Sequence, residues 1–185
     1  MKRLLLLFLG VVLTACSSAP VEKKETIQTP PPVVRTIKKS TQKTTAAYMT
    51  DQENELKHLL NGTAFFITRQ NNILTMTLSG DAIFAANSYH PTARAETLLK
   101  EIASVLSVYD KTRISIIGYT DGMGKPATNQ LISEKRAQSV ADILKKAAKI
   151  NSVRLWIEGR GNEKTNESLP RSNGVEIILT PTFIR

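Results

Sequence analysis

The chain has 185 residues, a formal charge of +9 and a pI near 9.8. Its single Cys excludes an intrachain disulfide framework. The basic balance points to an anionic lipid surface or polymer and more weakly to nucleic acid, unless it serves to keep a solvated linker open.

The chain opens with the basic Met1-Lys2-Arg3, and residues 4–13 are apolar. That run is shorter than the ~20 residues a membrane-spanning helix needs. A charged start, a short apolar stretch and small residues at a cleavage point describe a secretory signal peptide. Leu13-Thr14-Ala15-Cys16 resembles a bacterial lipobox. The resemblance implies removal of residues 1–15 and acylation of Cys16, with outer-membrane lipid as its partner. Ser17 in place of Asp implies the outer membrane, on its periplasmic face. Several acyl chains anchor stably where one is marginal. Residues 16–47 contain Thr29-Pro30-Pro31-Pro32 and Lys23, Lys24, Arg35, Lys38, Lys39 and Lys43, with few large apolar side chains. Such a segment cannot offset chain entropy by burial, and is expected to be a flexible linker. Export from the cytoplasm argues against nucleic acid.

Residues 48–185 are the size of one domain. Thr50-Asp51-Gln52-Glu53 has capping-box spacing and predicts a helix to about Leu60, stopped by Asn61-Gly62. Residues 63–68 and 73–78 read as a hairpin around Arg69-Gln70-Asn71-Asn72. Pro91-Thr92 starts a helix to about Tyr109, with Ala95, Leu98, Leu99, Ile102, Val105 and Leu106 at helical spacing. A strand at 113–118, a Gly- and Pro-containing loop at 119–128 and a helix at 129–149 follow. Strands at 152–158 and 175–180 flank a polar loop at 159–171. This interleaving predicts an α/β sandwich, helices packed on a sheet.

Three segments resemble the OmpA-like peptidoglycan-binding domain. Ile83-Phe84-Ala85-Ala86-Asn87-Ser88 is similar to the family's opening strand-to-loop segment. Ile116-Ile117-Gly118-Tyr119-Thr120-Asp121-Gly122-Met123-Gly124 is similar to v-x-G-H-T-D-x-x-G, and residues 129–140 to N-x-x-L-S-x-x-R-A-x-x-V. The resemblance implies a βαβαββ fold, two helices on a mixed sheet, at residues 75–185. Residues 48–74 would be an added helix and first hairpin strand. It also implies a non-catalytic protein without cofactors that binds the diaminopimelate of the peptidoglycan stem. The alternative is an accessory or regulatory envelope protein, its wall binding controlled by a protein partner at residues 48–78.

Asp121 and Arg136 fall at the same end of a β-loop-α unit. One anion beside one cation suits a small zwitterion, its ammonium on Asp121 and its carboxylate held by two parallel hydrogen bonds from Arg136. A plain salt bridge closing the loop is the alternative. Asn129, Ser133, Arg136, Val140, Leu144 and Ala147 form one stripe of the helix, polar at its start and apolar later. Asn129 can donate and accept toward a ligand, or act as helix N-cap. By the resemblance Asn87 contributes to the same pocket, with a turn role as its alternative. Thr120 either supports Asp121 through its hydroxyl or merely ends the strand, and Ser133 is expected to pack. Two departures stand out. Tyr119 replaces the family's common His, a tolerated change. Asn173 and Gly174 replace two arginines of the family's last strand, so contacts from those arginines are lost unless Arg171 compensates. Catalysis is not expected, because His58 and His90 are far apart and lack nucleophile or metal spacing.

Overall fold

A computed structural model describes residues 44–85, 88–163 and 173–182. The expected signal peptide, Cys16, nearly all of the linker, Asn87 and Arg171 lie outside the described residues. Among the described residues, no helix is long and apolar enough to cross a membrane.

The first helix begins earlier than its capping-box spacing suggests. Helix α1 spans Thr45–Leu60, and its N-cap is Thr44, whose side chain accepts the Ala47 N–H at 3.2 Å. Thr44 offers the same capping chemistry as Thr50, and the intervening alanines favour helix. Thr50 therefore sits inside the helix with its hydroxyl on the Ala46 carbonyl at 2.8 Å. Glu53 makes no capping box and instead pairs with Lys57 at 2.6 Å and Arg69 at 3.0 Å. The Arg69 contact ties α1 to strand β1, Phe65–Gln70. Strand β2, Ile73–Ser79, returns antiparallel through Asn71-Asn72, where Asn71 takes the left-handed conformation at φ 55°. Asn tolerates that conformation better than most residues.

Beyond β2 the chain departs from the expected strand-to-loop segment. Residues Gly80–Ile83 form a single helical turn, α2, and Phe84 makes only an isolated bridge to Pro91. The opening strand of the expected βαβαββ unit is therefore β2. It continues through α3 (Ala93–Val108), β3 (Thr112–Tyr119), α4 (Pro126–Ala148), β4 (Leu155–Gly159) and β5 (Gly174–Pro181). The strands form one mixed sheet in the order β1-β2-β5-β3-β4. Only β3 and β4 are parallel, and α4 supplies the crossover that a parallel pair requires.

Strand periodicity selects the buried face. Leu74, Met76 and Leu78 stand opposite Leu179, Ile177 and Val175, and Ile114 and Ile116 stand opposite Leu179 and Ile177. All eight are buried, in one core with Leu99, Ile102 and Leu106 of α3, Val140 and Leu144 of α4, and Met49 and Leu56 of α1. The stripe on α4 ends earlier than its spacing suggests. Leu144 is buried but Ala147 is exposed, because the drift of the 3.6-residue period brings Ala148 inward instead. Helix α1 and strand β1 thus belong to the same core as the rest of the domain.

One core position opposes this packing. Gln52 on α1 is fully buried, and neither polar atom of its amide has a hydrogen-bond partner. An unsatisfied buried polar group costs about 1–3 kcal/mol. Gln52→Met keeps the volume and removes the polar atoms. It should therefore raise the unfolding free energy by about 1–3 kcal/mol in urea titration. An unchanged or lowered midpoint would mean that the amide is satisfied in solution.

Candidate functional site

A close approach between α4 and the end of β3 builds the site. A Cβ at Gly118 would lie 2.0 Å from the Ser133 carbonyl oxygen, and one at Gly159 would lie 2.4 Å from the Glu134 nitrogen. Glycine at both positions lets the second turn of α4 rest on the sheet backbone. Ser133 locks this contact, donating to the Gln130 carbonyl and accepting the Gly161 N–H, each at 2.8 Å. Its packing role follows from those bonds. One turn further on, Arg136 emerges beside the exit of β3. The exit is held by Thr120 N–H on the Gly161 carbonyl at 2.7 Å and Arg160 N–H on the Gly118 carbonyl at 3.0 Å.

These contacts bring Thr120, Asp121, Asn129 and Arg136 together in one cleft of about 390 Å³. Asp81, Phe84 and Asn173 line it as well. Arg136 is 7% exposed. Its Nε–H donates to the Ser88 carbonyl at 3.2 Å, and Nη1 donates to the Tyr119 carbonyl at 3.5 Å and to Asn173 Oδ1. The guanidinium lies over the Phe84 ring, 4.9 Å from its centroid. Burial lowers the Arg136 pKa from its ordinary value, while Asp121 and Asp81 oppose that shift.

Asp121 is exposed and makes no ion pair with Arg136 among the described residues. Its Oδ1 instead accepts the Met123 N–H at 3.1 Å, in a turn where Gly122 and Gly124 have φ of 79° and 93°. The plain salt bridge is therefore absent. Asn129 is not an N-cap either. Helix α4 starts at Pro126 after Lys125, since Pro suits a first helical position, and the Asn129 N–H bonds the Lys125 carbonyl at 3.0 Å. The Asn129 side chain is buried, with Nδ2 lacking a protein partner. Thr120 Oγ1 is likewise buried and has no partner among the described residues, so it does not brace Asp121.

The last strand accounts for one departure from the family pattern. Gly174 has φ 136°, and a Cβ there would lie 2.2 Å from the Leu78 carbonyl oxygen. The pairing of Ser79 with Gly174 leaves no room for an arginine side chain. Asp81 could not be found from spacing. It sits on a single helical turn that reaches the cleft only because β2 pairs with β5. Tyr119 points to the other face of the sheet, where its hydroxyl meets Glu176 Oε2 at 3.3 Å.

A five-stranded mixed sheet, two long helices and a polar cleft at the β3–α4 junction define an OmpA-like α/β domain. Residues 83–173 match the model of the OmpA family, and this segment is an OmpA-like domain. The chain is similar to the Escherichia coli protein "Probable lipoprotein YiaD", at 30% identity over 140 residues. That match covers 72% of this chain and 64% of the relative, so the chain spans just under two thirds of that protein. Among solved structures, it is similar to a MotB-like protein from Desulfovibrio vulgaris, at 19% identity and a TM-score of 0.63. The match covers 74% of this chain and 93% of that one. It is also similar to the cell wall anchor of the type VI secretion system of Pseudomonas aeruginosa, at 24% identity and a TM-score of 0.53. Here 75% of this chain and 98% of the other are covered. At such identities the structures establish the fold.

Burial, and then the Glu176 carboxylate, push the Tyr119 pKa up to about 12. A folded-state pKa above the unfolded value of 10 means that the folded protein holds the proton more tightly. This contribution is complete below pH ~10 and is lost as pH rises toward 12. Urea midpoints should therefore fall over that window, and less steeply in Tyr119→Phe. Parallel slopes in the two proteins would refute the assignment.

Proposed function

We propose that this protein tethers the bacterial outer membrane, or an envelope machine, to peptidoglycan without catalysis. Cys16 carries the lipid anchor on the periplasmic face, and the cleft grips the zwitterionic end of diaminopimelate in the peptide stem. The observation that carries this reading is a buried guanidinium facing two carboxylates across one cleft. Arg136 takes the ligand carboxylate and Asp121 its ammonium. Asn129 and Thr120 present buried polar atoms without protein partners, and such atoms favour a polar ligand. Asn87, three residues after the cleft residue Phe84 in the chain, is proposed as a further contact.

The full-length chain in detergent should pellet with purified diaminopimelate-type sacculi, whereas Asp121→Ala and Arg136→Ala should stay in solution. Losing one partner of a charge-assisted hydrogen bond costs about 1.5–3 kcal/mol, a tenfold or larger loss of affinity. Equal pelleting of wild type and both variants would remove the cleft from the wall contact. The anchor is tested apart from the cleft: Cys16→Ser should move the protein from the outer-membrane fraction to the soluble periplasm, and retention of the variant would contradict lipidation.

A second reading has its own observation. Phe66 on β1 is 65% exposed and Ile73 on β2 is 41% exposed, and the register puts both on the sheet face away from the core. These residues suit an envelope partner at residues 48–78 that controls wall binding. Deleting this region would strip Met49, Leu56 and Leu60 from the core, so the informative variant is Phe66→Ser. Loss of partner-dependent control with sacculus binding intact would favour this reading, and unaltered control would exclude it.

A further inference from the structure

The unusual residue that precedes the last strand acts on the buried cation of the cleft, Arg136. Arg136 has five N–H donors in a rigid fork. Nε–H is held by the Ser88 carbonyl, and the two Nη1 donors by the Tyr119 carbonyl and Asn173 Oδ1. Among the described residues only Nη2 has no protein acceptor. A carboxylate bound by two parallel bonds needs Nη2 together with either Nη1 or Nε. Both choices are contested. The Ser88 acceptor is backbone and cannot rotate away, but the Asn173 acceptor is a side chain and can.

The seat of Asn173 is specific. Its carbonyl oxygen accepts the Gly80 N–H at 3.1 Å, which fixes its backbone. Its amide lies over Gly80, where a Cβ would come within 2.7 Å of Asn173 Cγ and 2.8 Å of Oδ1. Only a glycine at 80 leaves this space, and the Gly80 φ is not in the left-handed region, so the glycine is not required by backbone conformation. The Phe84 ring packs against the same guanidinium, 4.9 Å from its centre.

Resting on the wall-stem reading above, we propose that Asn173 is the specificity-determining residue of the cleft, a built-in neutral substitute for a ligand oxygen. Its amide oxygen holds the Nη1 side of the Arg136 fork and must rotate out before a carboxylate can bind through both nitrogens. With Asn173 seated, Nη2 offers donors to one ligand oxygen. A carboxamide satisfies that geometry nearly as well as a carboxylate. The protein therefore tolerates peptide stems in which the side-chain carboxylate of diaminopimelate is amidated, at the expense of affinity for the free acid.

The test is calorimetric titration of the full-length chain in detergent with two peptides. One is L-Ala-γ-D-Glu-meso-diaminopimelate, and the other is the same tripeptide with the side-chain carboxylate converted to its amide. Asn173→Ala frees the fork and should tighten the acid peptide by about tenfold while leaving the amide peptide unchanged. Gly80→Ala displaces the Asn173 side chain from the other side and should act in the same direction. Asn173→Asp places a permanent carboxylate on Arg136 and should weaken the acid peptide by about tenfold or more. If wild type binds and Asn173→Ala leaves the ratio of the two affinities unchanged, or weakens the acid peptide, the proposal is overturned. If neither peptide binds wild type or any variant, the wall-stem reading itself fails, and this proposal with it.

Discussion

The contact of α4 with the backbone of β3 and β4 governs the arrangement of the cleft. Gly118 and Gly159 bring a helix and a sheet closer than any side chain would allow. Ser133 then accepts the Gly161 N–H across the gap while donating to the Gln130 carbonyl of its own helix. With that turn fixed, Arg136 emerges at a set height above the strand end, and Asn129, two helical turns before it on the same stripe, is carried into the cleft. A small shift of α4 would separate the guanidinium from the Asp121 loop. A polar cleft is thus positioned by an apolar requirement, the burial of Val140 and Leu144 further along the same helix.

The cleft shows how a buried charge is kept available. Arg136 is almost wholly desolvated, which disfavours its charged form. The protein compensates with neutral acceptors, the carbonyls of Ser88 and Tyr119 and the amide of Asn173, and with two carboxylates that contribute field without forming an ion pair. A direct Asp121–Arg136 pair would satisfy both groups and leave little for a ligand. Holding Asp121 in its own turn, on the Met123 N–H, keeps the two charges separate.

The added elements have a structural role independent of any partner. Helix α1 and strand β1 bury Met49, Leu56, Leu60 and Phe65 in the common core. Tyr48 secures the far end of α1 by accepting the Lys111 N–H at 3.0 Å and packing edge-on against Tyr109. The pairing of β1 with β2 also moves the edge of the sheet one strand away from the cleft. Strand β2 can then pair on both sides, and its C-terminal end delivers Gly80 and Asp81 to the cleft rim.

The interleaved helices and strands were legible in the amino-acid order, because periods of two and 3.6 in apolar residues report local geometry. That order also put Asp121 and Arg136 at the same end of one β-loop-α unit, since the spacing between a strand end and the first turns of a helix is local. Element starts were less legible. Thr44 and Thr50 are chemically equivalent caps, and only packing of the whole helix selected the first. Pro126 similarly moved the start of α4 ahead of Asn129, which removed the N-cap alternative and left that residue in the cleft. Tertiary structure alone decided that Asp81, Phe84 and Asn173 meet Arg136. These residues come from separate segments that β2–β5 pairing and the turn after β2 bring to one rim, and no periodicity within any one segment encodes that meeting.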